Sequence, residues 1–153
     1  MKYFQIALLF IIFNSSCEPK RSNTQNLKND SIPKSQKVDK ENCISTICRF
    51  PILYNDNISP REIKIQSQYL NFKSNIDLAD LATFLKNNPE LIQEWITFTL
   101  NIRHSPAWGF CQNEDSTWSV FQLNNGELIH DFKFSDKFEA CAKMALSTIS
   151  AIK

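Results

Sequence analysis

Asn125-Gly126 stands between two runs rich in β-branched and aromatic residues, 118–123 and 127–134. Asn-Gly suits a two-residue type I′ turn, in which both central residues take positive φ. The dipeptide commits this part of the chain to an antiparallel hairpin. A third run, 108–112, precedes it across the polar loop 113–117, so a three-strand meander is expected. Ser135 or Asp136 then caps a final helix in which Phe138, Cys141, Ala142, Ala145, Ile149 and Ile152 form one apolar stripe.

The turn also sets a register. Leu123 should face Leu128, Phe121 face His130 and Ser119 face Phe132 on one side of the sheet, with Cys111 beside Ser119. The terminal helix is expected to cover this first side, bring Cys141 toward Cys111 and make His130 a core-face histidine. Trp108, Phe110, Trp118, Val120 and Ile129 would share the second side. Indoles combine large contact area with a polar handle, which makes this aromatic set the candidate binding surface. The competing expectation is that an earlier helix buries it.

Two helices are legible upstream. Asn75 or Asp77 caps one through Lys86, with Leu78, Leu81, Ala82 and Leu85 on one face. Asn88-Pro89 opens another from Glu90 to Ile102, whose stripe of Leu91, Trp95, Phe98 and Ile102 demands burial. Arg103 and His104 would complement its C-terminal dipole, and Pro106 would stop it. Residues 49–54 and 62–72 carry β-compatible side chains, Ile63, Ile65, Tyr69 and Phe72 among them, and read as edge strands interrupted by Pro51 and Pro60. The expected fold is α+β, a small C-terminal antiparallel meander packed with about three helices.

Composition excludes several functions. Basic and acidic residues number 17 and 16, too balanced for binding nucleic acid through its phosphates. The only glycines, Gly109 and Gly126, leave no Gly-rich loop for a nucleotide. His104 and His130 lie in no metal-ligand spacing, and the cysteines form no paired C-x2-C elements, so neither metal nor cofactor is expected. A Cys–His nucleophile would need a reduced Cys111 or Cys141, and adjacent Glu114 and Asp115 fix no acid–base geometry. The chain does not read as an enzyme.

Met1-Lys2 followed by the apolar run 6–13 has the form of a signal peptide, too short for the ~20 residues of a membrane span. The run ends at Asn14-Ser15-Ser16-Cys17, which resembles the lipobox of bacterial lipoproteins; Ser15 and Ser16 fit its small-residue positions, and Asn14 replaces the usual aliphatic residue. The resemblance covers the first 17 residues and implies that Cys17 carries the lipid, palmitate included, at the mature N-terminus. Residues 1–16 would then be the signal peptide, 17–42 a lipidated cysteine and flexible polar linker, and 43–153 one folded domain held outside the cytoplasm in a bacterial envelope.

Setting Cys17 aside leaves Cys43, Cys48, Cys111 and Cys141, an even set suited to two disulfides in an oxidising compartment. Three connectivities are possible. Cys43 and Cys48 enclose a loop short enough to close locally, which would leave Cys111 with Cys141 as a long-range staple.

Ser105-Pro106-Ala107-Trp108 and Phe138-Glu139-Ala140-Cys141-Ala142 resemble segments of small bacterial immunity-type proteins, and size, anchor and layout resemble envelope inhibitors. The resemblance implies non-covalent binding of a protein partner. The alternative is a saccharide-binding or structural envelope lipoprotein. An acidic protruding loop at 112–116 would favour a protein partner; an open Trp108/Trp118 face would favour saccharide.

Overall fold

The computed structural model describes residues 34–101 and 107–153. The expected signal peptide, Cys17, most of the segment expected to be a linker and the connection bearing Arg103, His104 and Pro106 lie outside the described residues. Among those described, seven helices and a three-strand antiparallel sheet make an α+β fold, with the sheet in the C-terminal half as expected.

Helix α1 (Lys34–Cys48) begins inside the segment read as linker. Cys43, Ile44, Ile47 and Cys48 recur at helical spacing and are all buried, and Lys40 holds Asp80 at 2.9 Å. Local polarity hid this helix: Lys37, Val38 and Asp39 are exposed, and the buried residues begin at Cys43.

The two expected edge strands are instead α2 (Phe50–Asn55), α3 (Pro60–Gln66) and α4 (Tyr69–Phe72). Pro51 and Pro60 fall in first turns, where an absent N–H costs no hydrogen bond and a fixed φ assists the helix. Ser59 caps α3 by accepting from the Glu62 N–H at 3.3 Å. A strand would have put Ile63 and Ile65 on one face, but Ile63 is buried with Ser67, one turn on, while Ile65 is exposed. Asn57 and Gln68, both at positive φ, separate the three helices.

Helix α5 (Leu78–Asn87) starts with a reciprocal capping box between Asp77 and Asp80 and buries Leu81, Ala82 and Leu85. Helix α6 (Leu91–Asn101) buries Leu91, Ile92, Trp95 and Phe98. Trp95 packs against Phe50 and Phe98, and its Nε1–H donates to the Cys48 carbonyl at 2.9 Å, tying α6 to the end of α1.

Helix α7 (Lys137–Ala151) is capped by Asp136, whose carboxylate accepts from the Phe138 N–H at 2.7 Å and pairs with Lys86 at 2.9 Å. Ala140, Cys141, Ala142 and Ala145 are small enough for α7 to lie close against both α5 and the sheet. It is the central helix of the core.

Strands β1 (Ala107–Gln112), β2 (Trp118–Asn124) and β3 (Glu127–Phe134) pair in the order β1-β2-β3. Asn125 and Gly126 take φ of 52° and 85°, as a type I′ turn requires. Leu123 pairs with Leu128, as the turn predicts, and Cys111 with Ser119, as closure through the loop 113–117 predicts. The rest of the β2–β3 register is shifted by one residue. A bulge opposite Gln122/Leu123 makes Gln122 face His130, Phe121 face Asp131, Val120 face Phe132 and Ser119 face Lys133.

That extra residue reverses every later side chain of β3. His130, Phe132 and Phe134 therefore join Trp108, Phe110, Trp118 and Val120 on one face, and Asp131 and Lys133 go to the other. With charge on the first face and aromatic rings on the second, α7 covers the second, the opposite of the expected packing. Phe110 and Val120 are buried beneath it, and Lys143 of α7 lies 4.3 Å over the Phe132 ring. On the outer face the Phe121 ring lies across Gly109, 2.3 Å from where a Cβ would stand.

Candidate functional site

The inner face of the meander is covered unevenly. Over β1 and β2 it is closed: Phe110 stacks on Trp118 with centroids 4.9 Å apart, Val120 has no exposure, and Trp118 is half-buried. Of the five residues expected to form an aromatic binding surface, Trp108, Phe110, Trp118 and Val120 do share a face, but most of it is core. Ile129, expected beside them, is instead an exposed residue at the bulge, because the pairing slips there.

β3 extends beyond the cover of α7. It is exposed along 127–133, and three of the protein's exposed large apolar side chains, Leu128, Ile129 and Phe132, stand on this one strand. Trp108 reaches the same region from β1. Its ring is 6.0 Å from His130 and nearly parallel to it, 6.3 Å from Phe132, and His130 is in turn 6.0 Å from Phe132. The result is a stacked Trp108–His130–Phe132 ladder with a half-buried indole at its root and an ammonium, Lys143, over its far ring.

Sequence reasoning placed His130 and Phe132 on the wrong face and so missed two of the three rungs. The missed signal is the bulge, which no residue type near Ile129 announces. Beside the ladder, Trp108 also lines an open pocket of about 410 Å³ with Phe50, Tyr54, Phe98 and Ile152.

β3 is a free edge, but its backbone is poorly suited to indiscriminate strand pairing. A bulge interrupts it, and Glu127, Asp131 and Lys133 line it with charges of both signs. Side chains rather than backbone hydrogen bonds are what this strand offers a partner.

At the other end of the meander, the loop joining β1 and β2 carries Glu114 and Asp115 and is exposed at 114–116. It is held by its own polar groups. Asn113 Nδ2 donates to Thr117 Oγ1 at 2.9 Å and to Ser119 Oγ at 3.0 Å, and Thr117 donates to Asp115 Oδ1 from its hydroxyl at 2.5 Å and its backbone N–H at 3.0 Å. Those Thr117 hydrogen bonds hold the Asp115 carboxyl below the usual aspartate value.

The four described cysteines are free thiols, and neither expected pairing has a geometric basis. Cys43 and Cys48 lie on one helix, where five residues advance about 7.5 Å along the axis, beyond the ~7 Å that a disulfide spans between Cα atoms. Cys141 is fully buried in α7 on the inner side of the sheet, whereas Cys111 is exposed on the outer side. Burial pushes the Cys43 thiol up to about 11 and the Cys48 thiol up to about 12. Burial, reinforced by neighbouring Cys48, raises Cys141 well above its ordinary value, and Cys111 is raised by partial burial and by Asp131. None is poised as a thiolate. Among the described residues, no three His, Cys, Asp or Glu side chains converge to hold a metal ion, and no helix is long and apolar enough to cross a membrane.

No protein family, curated protein or solved structure matches the chain.

Proposed function

We propose that the chain is a lipid-anchored bacterial envelope protein that binds a protein partner non-covalently, as an inhibitor or immunity-type module, through β3 and the ladder behind it. The observation that carries this reading is the concentration of exposed Leu128, Ile129 and Phe132 on one strand, with Phe132 stacked beside Trp108 and His130 on the inner face and Leu128 on the outer face opposite Leu123. Exposed aromatic and aliphatic anchors on a rigid sheet supply binding area at little ordering cost. The charged, bulged edge disfavours self-pairing, which leaves the side chains free for a complementary surface. The ordered acidic loop supports a protein partner further, because its charges steer a basic surface without having to be immobilised on contact.

The anchor rests on the N-terminal apolar run and Ser15-Ser16-Cys17. Growth with labelled palmitate should mark the wild-type chain and leave Cys17→Ser unmarked; label retained by the variant would refute lipidation at this residue. For the binding surface, a photo-crosslinker at position 128 of the full chain should give one adduct of discrete mass in the intact envelope, absent when it is placed at exposed position 90. The same adducts from both positions, or none from 128, would remove β3 from the interface.

A second reading has its own observation. The Trp108 and His130 rings lie within 8° of parallel, beside the aromatic-lined pocket, and flat stacked rings also suit a pyranose face. Quenching of tryptophan emission by envelope glycans, lost in Trp108→Ala, would favour it over a protein partner.

A further inference from the structure

Next to the Trp108 pocket, with which it shares Lys153, α3, α4 and residues 152–153 build a second surface of different chemistry. Arg61, Lys64 and Lys153 border a shallow pocket of about 390 Å³ together with Ile65 and Leu70. These two side chains are 67% and 71% exposed, among the most exposed large apolar groups described, although each belongs to a helix whose neighbouring residues pack inward. Residues 60–73 carry three bases and one acid, Glu62, so the patch is basic as well as apolar.

The patch is also firmly held. Lys64 Nζ donates to the Ile152 carbonyl, the Tyr69 hydroxyl hydrogen-bonds Ser150 Oγ at 2.8 Å, and buried Ser67 joins α3 to α4 by donating to the Lys64 carbonyl at 2.8 Å and accepting from the Tyr69 N–H at 3.2 Å. Ile65 and Leu70 are thus presented by a fixed surface rather than by a fraying end.

We infer that this face docks on an anionic bilayer, with Arg61, Lys64 and Lys153 at the lipid phosphates and Ile65 and Leu70 entering the interface between headgroups and acyl chains. Apolar side chains projecting through a ring of cations match the two layers that a charged membrane offers in the same order. A partner protein of mixed character would be expected to meet both signs of charge; none of the residues bordering this pocket is acidic. The inference rests on the envelope reading only for placing a bilayer within reach.

Amide hydrogen exchange of the full-length chain tests it, measured with excess phosphatidylcholine vesicles and with vesicles containing phosphatidylglycerol. Amides of 61–72 should exchange several-fold more slowly on the anionic vesicles than on the neutral ones. Ile65→Ser with Leu70→Ser should abolish the difference, and Arg61→Glu should weaken anionic-vesicle binding by roughly tenfold or more. All three side chains are exposed, so circular dichroism of the variants should match wild type.

Equal exchange on both vesicles would overturn the inference, whether or not the chain is held to them through its N-terminus. Equal slowing by inorganic phosphate alone would overturn it in favour of a small-anion pocket. Failure of the chain to co-sediment with neutral vesicles would count against the anchor while leaving the anionic difference as the measure of the patch.

Discussion

Gly109 and Phe121 show how one side chain can set what another position tolerates. A Cβ on Gly109 would stand 2.3 Å from the Phe121 ring, so Gly109→Ala must displace that ring from the outer face. The expected cost is about 1–3 kcal/mol in chemical denaturation, the range of an overpacked site, and Phe121→Leu in the same chain should recover part of it. The four described thiols give a second prediction. Cys43, Cys48 and Cys141 are buried, and their pKa values are raised by that burial, whereas Cys111 is exposed. Alkylation of the native, reduced protein near pH 8 should modify Cys111 first by a wide margin, read peptide by peptide. Equal rates at Cys111 and Cys141 would mean that α7 is not packed as described. Four cysteines remain once Cys17 is set aside, but whether any of them pair could not be read from the chain, because that depends on which sheet face α7 covers.

Elements differ in how well the sequence announces them. The Asn125-Gly126 turn, the three strands, the Asp77 cap and the Asp136 cap are local signals, and each marks the element observed. Helices α2 to α4 were misread because Ile, Tyr and Phe suit strands, although Ser59-Pro60-Arg61-Glu62 already contains a helix start. α1 was missed for another reason: it is polar for its first turns, and its contact with α5 through Lys40 and Asp80 is visible only in three dimensions. That contact predicts an acid dependence. Partial burial raises Asp80, but Lys40 and the Asp77 N–H outweigh it and hold the carboxyl below its ordinary value; Lys86 and the Phe138 N–H do the same for Asp136 against a similar desolvation. A depressed folded-state pKa contributes stability that is complete above the unfolded aspartate value and is lost as pH falls through the folded one. Urea midpoints should therefore hold steady above the carboxylate range and drop below about pH 4. Lys40→Met should flatten that drop, and an unchanged acid limb would show that the α1–α5 pair contributes nothing.

For the molecule as a whole, one bulged residue decides which surface is available. Had β3 kept the register set by its turn, His130 and Phe132 would have faced away from Trp108, and no ladder would exist. The α+β class and the order of the strands followed from pattern alone; the site depended on a register slip and on how far α7 reaches, both products of packing. The resulting architecture has a polar tether expected at one end, a basic apolar patch on α3 and α4, and an aromatic strand left open on the meander. Binding through that strand is best measured by capture of envelope proteins on the full-length chain, comparing wild type with Ile129→Ser/Phe132→Ser and identifying bound proteins by mass. Both side chains are exposed, so circular dichroism of the variant should match wild type. A stoichiometric partner held by wild type and lost by the variant is the predicted result. A partner retained by the folded variant at equal affinity would contradict a β3 interface, and no stoichiometric partner at all would contradict the protein-binding function itself.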